Sequence, residues 1–209
     1  EVVKKNNYVI NFAGLSDIDK AKNEPIETVE QNILGNTIIL ESCRKAKIKR
    51  YIFASSIYVY SDLGDFYRIS KQACENYIEI YNKVFGLNFT ILRYGSLYGL
   101  RSGISNGVYK FIKSALKKNK MTFYGKPESL REFIHVEDAA SCTLEIFKKE
   151  YINEHIIVTG QQSIKIEDLL KMISEILRKK IKIEYKKTTK QLHYVTTPYS
   201  FNPKKAKKI

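Results

Sequence analysis

Tryptophan is absent from this chain, methionine occurs twice, and the three cysteines stand apart at positions 43, 74 and 142. Such intervals match no zinc-ligand spacing, and an odd, scattered set argues for a reducing compartment. All three cysteines fall in helix-like segments, where burial in the core is the expectation. No apolar run approaches the ~18 residues that a membrane helix needs, and no signal peptide is legible. The sequence therefore reads as soluble and cytoplasmic, with no membrane partner. It contains no internal repeat. Acidic residues are the scarcer charge, 22 against 36 basic, which leaves a net charge of +14. Residues 164–209 hold 13 basic and 4 acidic side chains. That excess raises nucleic-acid binding as a reading. Lysine supplies most of it while arginine is scarce, and asparagine and isoleucine are abundant. A compositional bias of the source explains this better, so no nucleic-acid partner is expected. A basic surface would also favour phosphate-bearing substrates.

What is present suffices for one large domain or one and a half: 209 residues, 44% hydrophobic and 12% aromatic. The most informative stretch is 51–71, YIFASSIYVYSDLGDFYRISK. Its aromatic and β-branched opening suits a buried strand that ends at Ser55 and Ser56. A polar turn (Ser61, Asp62, Gly64, Asp65) leads to a helix that starts near Phe66 and reaches about Phe85, where Gly86 fits a stop. Tyr67 and Lys71 stand four apart, so they share one helix face with Cβ atoms about 6 Å apart. A free phenol titrates near 10 and is a poor base at neutral pH. A neighbouring ammonium favours the phenolate, and a shift of ~3 units takes roughly 4 kcal/mol. A serine hydroxyl at the strand end can hold a substrate oxygen and share its proton. The trio suits proton transfer to or from a carbinol.

A YxxxK pair alone is usually a solvated helix face. Here it follows a strand ending in SSxxVY, and together these resemble the extended short-chain dehydrogenase/reductase family, the nucleotide-sugar epimerases and dehydratases. The resemblance implies catalytic roles for Tyr67 and Lys71, with Ser56 assisting. It implies NAD as cofactor, with NADP left open; a cationic nicotinamide would favour the Tyr67 phenolate further. Residues 8–14, YVINFAG, resemble the VIxFAG strand end that passes close to the cofactor, which implicates Phe12, Ala13 and Gly14. Residues 32–37, NILGNT, resemble N-x-x-G-T with the spacing not strictly kept, and imply that Asn32 helps to order a water and the lysine. Residues 92–99, LRYGSLYG, resemble LRxxNVYG, which sets Tyr94 near the cofactor; Ser96 stands where asparagine is usual in the substrate contact. Asn106 begins a helix to about Lys118 in the region that shapes the sugar-nucleotide pocket. Residues 131–138, REFIHVED, resemble RDFIHVxD, in which Arg131 meets the substrate diphosphate; a planar charged fork suits that task. His135 reads as structural and Asp138 as the cap of a helix over 139–149. No metal site is expected.

Strand–helix alternation through the first hundred residues predicts an α/β protein with a doubly wound, parallel Rossmann-like sheet, and the resemblance implies a smaller α+β substrate-binding region after it. Residues 1–99 read as the C-terminal part of the NAD(P)-binding domain. Residues 100–209 read mainly as the substrate region, with 155–160 returning to the main sheet. A helix is expected over 26–46, opened by Pro25, burying Val29, Ile33, Ile38, Leu40 and Cys43. Another is expected over 166–178, a strand over 181–185, and a loop-like tail at 193–199 that reaches towards the substrate. The chain stops at Lys207, Lys208 and Ile209 in a helix-like run. The G-x-x-G-x-x-G loop of dinucleotide folds is missing. The resemblance implies that about 60 residues precede Glu1, and that this piece alone binds NAD poorly. The implied function is epimerisation of a nucleotide sugar by transient oxidation of a hydroxyl, in a homodimer joined through the helices that carry Asn32 and Tyr67. A reductase or dehydratase of the same family stays open, although Ile57 and Tyr58 stand where dehydratases carry Asp-Glu. A non-catalytic nucleotide-binding scaffold or a basic RNA binder is the alternative from another class.

Overall fold

The computed structural model describes residues 3–187 and 193–198. The chain divides into two compact units, Glu1–Tyr94 with Ala140–Val158, and Gly95–Ala139 with Thr159–Ile209.

In the first unit the central strand is Arg50–Ser56 (β2). It is flanked by Tyr8–Asn11 (β1), Phe89–Tyr94 (β3) and, beyond β3, Glu154–Val158 (β7). The order is β1-β2-β3-β7 and every pair is parallel. Parallel neighbours need a crossover, and helices supply it. Between β1 and β2 lie Ile18–Asn23 (α1), Pro25–Thr28 (α2), a π-helical segment Val29–Leu34, and Gly35–Lys45 (α3). Between β2 and β3 runs Asp65–Phe85 (α4), which stops at Gly86 in the left-handed conformation (φ 69°).

Strand side chains alternate between faces. Tyr51, Phe53, Phe89 and Ile91 pack with Leu40 and Cys43 of α3 and Cys74 and Ile78 of α4. Each such apolar side chain contributes about 1.5–3 kcal/mol on burial. Residues of the other parity reach segment 140–158. The Arg50 guanidinium donates to the carbonyls of Ile146, Phe147 and Lys148, just past the end of helix Val136–Glu145 (α6). The Thr90 hydroxyl donates to the Tyr151 carbonyl, and the Tyr94 and Thr143 hydroxyls lie 2.6 Å apart. The parallel sheet is thus covered on both faces, as a doubly wound fold requires.

Several expectations are corrected. The helix expected over 26–46 is one helical stretch with a π-helical interior, preceded by an unforeseen α1 that Asp17 caps. Its buried stripe is Thr28, Asn32, Asn36, Leu40 and Cys43; Val29 and Ile38 are 51% and 58% exposed. An apolar pattern at α-helical spacing misleads where the turn is widened to i→i+5 bonding. The strand expected as buried at residues 8–13 is an edge strand among the described residues, with Tyr8 and Ile10 half-exposed. Cys142 is exposed on α6 rather than buried, because α6 turns its neighbour Thr143 inward.

The second unit is built on short sheets. Ser96–Tyr98 (β4) pairs in parallel with Leu130–His135 (β6), and β6 pairs antiparallel with Ser163–Lys165 (β8). Lys120–Tyr124 (β5) pairs in parallel with Lys182–Lys186 (β9). Helices Gly107–Lys118 (α5) and Ile166–Ile176 (α7) close a core of Ala115, Met121, Leu170 and Ile173. The first stretch of the first unit runs to Tyr94, and β4, which follows it, bonds to β6. Helix α6 begins at Val136, so Asp138 lies inside its first turn instead of capping it. An acidic group there still suits the helix dipole. Tyr199 and residues 207–209 lie outside the described residues. Among the described residues no helix is long and apolar enough to cross a membrane, and no cluster of His, Cys, Asp or Glu could hold a metal ion.

Candidate active site

In a parallel sheet, ligands gather at the carboxyl ends of the strands. In the first unit that edge holds Phe12, Ala13 and Gly14 after β1, Ser56 at the end of β2, and Tyr94 at the end of β3. Ser56 and Tyr94 are register partners across the two strands.

Helix α4 brings Tyr67 and Lys71 to this edge. Its start is forced by two left-handed residues, Gly64 (φ 99°) and Asp65 (φ 41°), and Asp65 pairs with Lys22 at 2.8 Å. A Cβ on Gly64 would lie 2.6 Å from the Tyr58 ring, so a side chain there would displace Tyr58. Tyr58 in turn packs edge-on against Tyr67, with ring centres 6.1 Å apart. The Tyr58 amide donates to the Ser56 hydroxyl at 3.3 Å. Ser56 is thus joined through Tyr58 to the Tyr67 ring.

Lys71 is 7% exposed. Its ammonium lies 5.9 Å from the centre of the Tyr67 ring and 4.7 Å from that of Phe53. Among the described residues it donates to one acceptor, the Ala54 carbonyl, at 2.8 Å. Burial pulls its pKa below the ordinary lysine value. A buried ammonium carries three donors, so the site has hydrogen-bonding capacity that the protein does not use. A ribose diol would use it, and to that extent the residues fit a nicotinamide nucleotide.

Asn32 fastens this arrangement to the end of β1. Its carboxamide accepts from the Leu15 amide (2.6 Å) and donates to the Leu15 carbonyl (3.0 Å) and to the Ser70 hydroxyl (2.8 Å). Ser70 donates onward to the Tyr67 carbonyl. The Cys74 thiol donates to the Asn32 carbonyl. The loop after β1 lies so close that a Cβ on Gly14 would come 2.7 Å from the Asn32 side-chain oxygen, and Gly14 sits at φ 140°. Phe12 and Tyr94 pack at 5.9 Å. Burial pushes the Tyr94 phenol up.

The expected substrate residues lie in the second unit. Ser96 is 3.4 Å from the buried Tyr194 hydroxyl, and the Arg131 guanidinium stands 4.3 Å over the Tyr194 ring. Arg131 also donates to the Leu130 and Val195 carbonyls. Tyr194 is therefore what joins Ser96 to Arg131. Asn106 caps α5 by accepting from the Tyr109 amide and donates to the Leu97 carbonyl, so its carboxamide holds the loop after β4.

Sequence reasoning passed over Glu75 and Arg93. Glu75 is one turn beyond Lys71 on the same face, so extending the four-residue step would have found it. It accepts from the Ser55 hydroxyl and pairs with Arg93 at 2.6 Å.

A doubly wound parallel sheet with this helix at its carboxyl edge defines a Rossmann-like α/β protein. Residues 1–160 match the NAD dependent epimerase/dehydratase family, and the chain belongs to it. A protein of Methanocaldococcus jannaschii with the provisional name UDP-glucose 4-epimerase is 30% identical over 179 residues, 77% of this chain and 58% of that one. A dTDP-D-glucose 4,6-dehydratase of Dictyostelium discoideum is 26% identical over 197 residues, 83% and 45% respectively. The structure of a UDP-N-acetylglucosamine 4-epimerase from Methanobrevibacter ruminantium M1 superposes with a TM-score of 0.83 at 25% identity, covering 94% of this chain and 69% of that one. The chain thus spans roughly half the length of the curated relatives it matches.

Proposed function

We propose that the protein carrying this chain is an NAD-dependent nucleotide-sugar epimerase acting by transient oxidation of a sugar hydroxyl. The observation that carries the reading is the fastening of the Tyr67–Lys71 face of α4, through Lys71 and Ala54, to the strand that ends at Ser56. Bound NAD would supply the hydride acceptor and donor. Lys71 and the exposed strand end Phe12–Gly14 would hold it, and Asn32 would keep that strand end in place. Tyr67 takes the proton from the sugar hydroxyl and returns it after the sugar has presented its other face. Lys71 favours the phenolate by its charge, and the Ser56 hydroxyl holds the sugar oxygen. In the second unit, Arg131 and Ser96 are the candidates for the diphosphate and the sugar.

Dehydration is disfavoured. Ile57 is buried and Tyr58 packs on Tyr67, so neither position offers an acid for eliminating water. The protein pairs as a homodimer through the outer face of the π-helical segment, α3 and α4. Leu34 and Ile38, with Ile69, Tyr77, Ile80 and Val84 at helical spacing on α4, are exposed there, and an apolar stripe of this kind marks an interface.

The test is product analysis with the whole protein, NAD, and UDP-glucose, UDP-N-acetylglucosamine and dTDP-glucose in turn. The expected product is the 4-epimer of one of them, with Tyr67→Phe slower by ~10²–10⁴-fold. Release of a 4-keto-6-deoxy sugar would replace the epimerase reading with the dehydratase one.

A further inference from the structure

Resting on that reading, we infer that the ion pair of buried Glu75 with partly buried Arg93 is a positioning device for Ser56, acting on the residues either side of it. Glu75 is 5% exposed. Its Oε1 accepts from the Ser55 hydroxyl at 2.5 Å and from Arg93 Nε at 3.1 Å, and its Oε2 accepts from the far guanidinium nitrogen at 2.6 Å. Arg93 is the register partner of Ser55 across β2 and β3. Its other terminal nitrogen donates to the Tyr60 hydroxyl at 2.5 Å, and the guanidinium lies 4.8 Å over the Tyr60 ring. Gln72, between Lys71 and Glu75, donates to the Val59 carbonyl at 2.9 Å. The cluster therefore grips Ser55 immediately before Ser56, and Val59 and Tyr60 shortly after it.

Energetics favour positioning over stability. Desolvating Glu75, and Arg93 in part, offsets much of their attraction, so such an ion pair is a weak source of net stability. It does impose one geometry, because each charge needs the other and bidentate pairing fixes direction. Positions 67, 71 and 75 follow one another by four along α4 and drift only slowly around its axis. One rigid face thus carries the acid/base, its ammonium and the clamp on the serine strand. A displacement of ~1 Å at a reacting group can cost ~10²-fold in rate.

The experiment compares Ser55→Ala, Ser55→Thr, Glu75→Gln and Tyr67→Phe in the whole protein, using whichever nucleotide sugar of the panel above it turns over. Turnover and amide exchange at residues 56–60 are both read. Ser55→Ala is expected to lower kcat by ~10-fold, with KM within about twofold and faster exchange confined to 56–60, while Ser55→Thr restores both. Unchanged exchange at 56–60 in Ser55→Ala overturns the inference whatever turnover does. Wild-type kcat in Ser55→Ala alongside an inert Tyr67→Phe also overturns it and leaves the acid/base reading standing. Wild-type turnover in Tyr67→Phe removes that reading, and this inference with it. Should Glu75→Gln fail to fold, the two Ser55 variants decide alone.

Discussion

Lys71 donates a 2.8 Å hydrogen bond to the carbonyl of Ala54, two residues before Ser56. A desolvated cation one turn from Tyr67 is thereby held to the serine strand. On the proposed mechanism, Lys71→Met should lower turnover by ~10²-fold or more, since the Tyr67 phenolate loses the positive charge beside its ring. The same variant should change the pH dependence of stability. Burial lowers the native pKa of Lys71 below its unfolded value. Between the two values the unfolded chain binds a proton that the native chain does not, so wild-type stability gains from rising pH there. Urea midpoints between pH 7 and 10 should show that gain as a wild-type-minus-variant difference that grows with pH.

Gly14→Ala should destabilise the protein by about 1–3 kcal/mol, from backbone strain at positive φ plus the contact with Asn32. In a double-mutant cycle with Asn32→Ala the losses should add to less than their sum, because removing the carboxamide removes the clash. Chemical denaturation of the four proteins measures it.

Thiol labelling should separate the three cysteines. Burial pushes the Cys43 and Cys74 thiols up to about 11, whereas Cys142 is exposed. At pH 8 one thiol should react fast with a disulfide reagent, the other two ~100-fold more slowly or worse, and all three in denaturant.

Arg50→Met should cost ~2–4 kcal/mol, since the carbonyls past the end of α6 lose a shared charged donor. Arg50→Lys should recover little, because an ammonium cannot fork across several carbonyls. Urea unfolding reads the loss, and amide exchange should rise first at residues 146–151.

Ile80→Glu, on the exposed stripe of α4, should shift the whole protein from dimer to monomer in light scattering without lowering the unfolding midpoint of the monomer. An unchanged mass would remove the proposed pairing surface.

The parallel strands and the α4 helix were legible because each carries a strong local signal: β-branched and aromatic runs for β2 and β3, and a left-handed glycine at each end of α4. The Tyr67–Lys71 relation followed from helical spacing alone. The buried face of the stretch 25–45 was not legible, because three of its five buried residues are polar and a rule that seeks apolar periodicity passes over Thr28, Asn32 and Asn36. Arg50 and Glu75 were missed for the same reason, since a charged residue is expected outside unless its partner is known. Those partners lie far off in sequence, at Ile146 and Arg93. The part played by Tyr194 depends on a tertiary contact with Arg131 that no spacing encodes.

The widened turn at Val29–Leu34 has a consequence for how this stretch can vary. Steps of four overshoot an ordinary α-turn, and the wider segment takes up the surplus, so Thr28, Asn32, Asn36 and Leu40 stay on one buried face. Exchanging one side chain there costs that residue's own contacts. Deleting a single residue between Asn32 and Asn36 would swing one side of the gap by roughly 100° and part either Asn32 from Leu15 or Asn36 from the Tyr51 hydroxyl. Length, more than identity, is what this segment has to conserve.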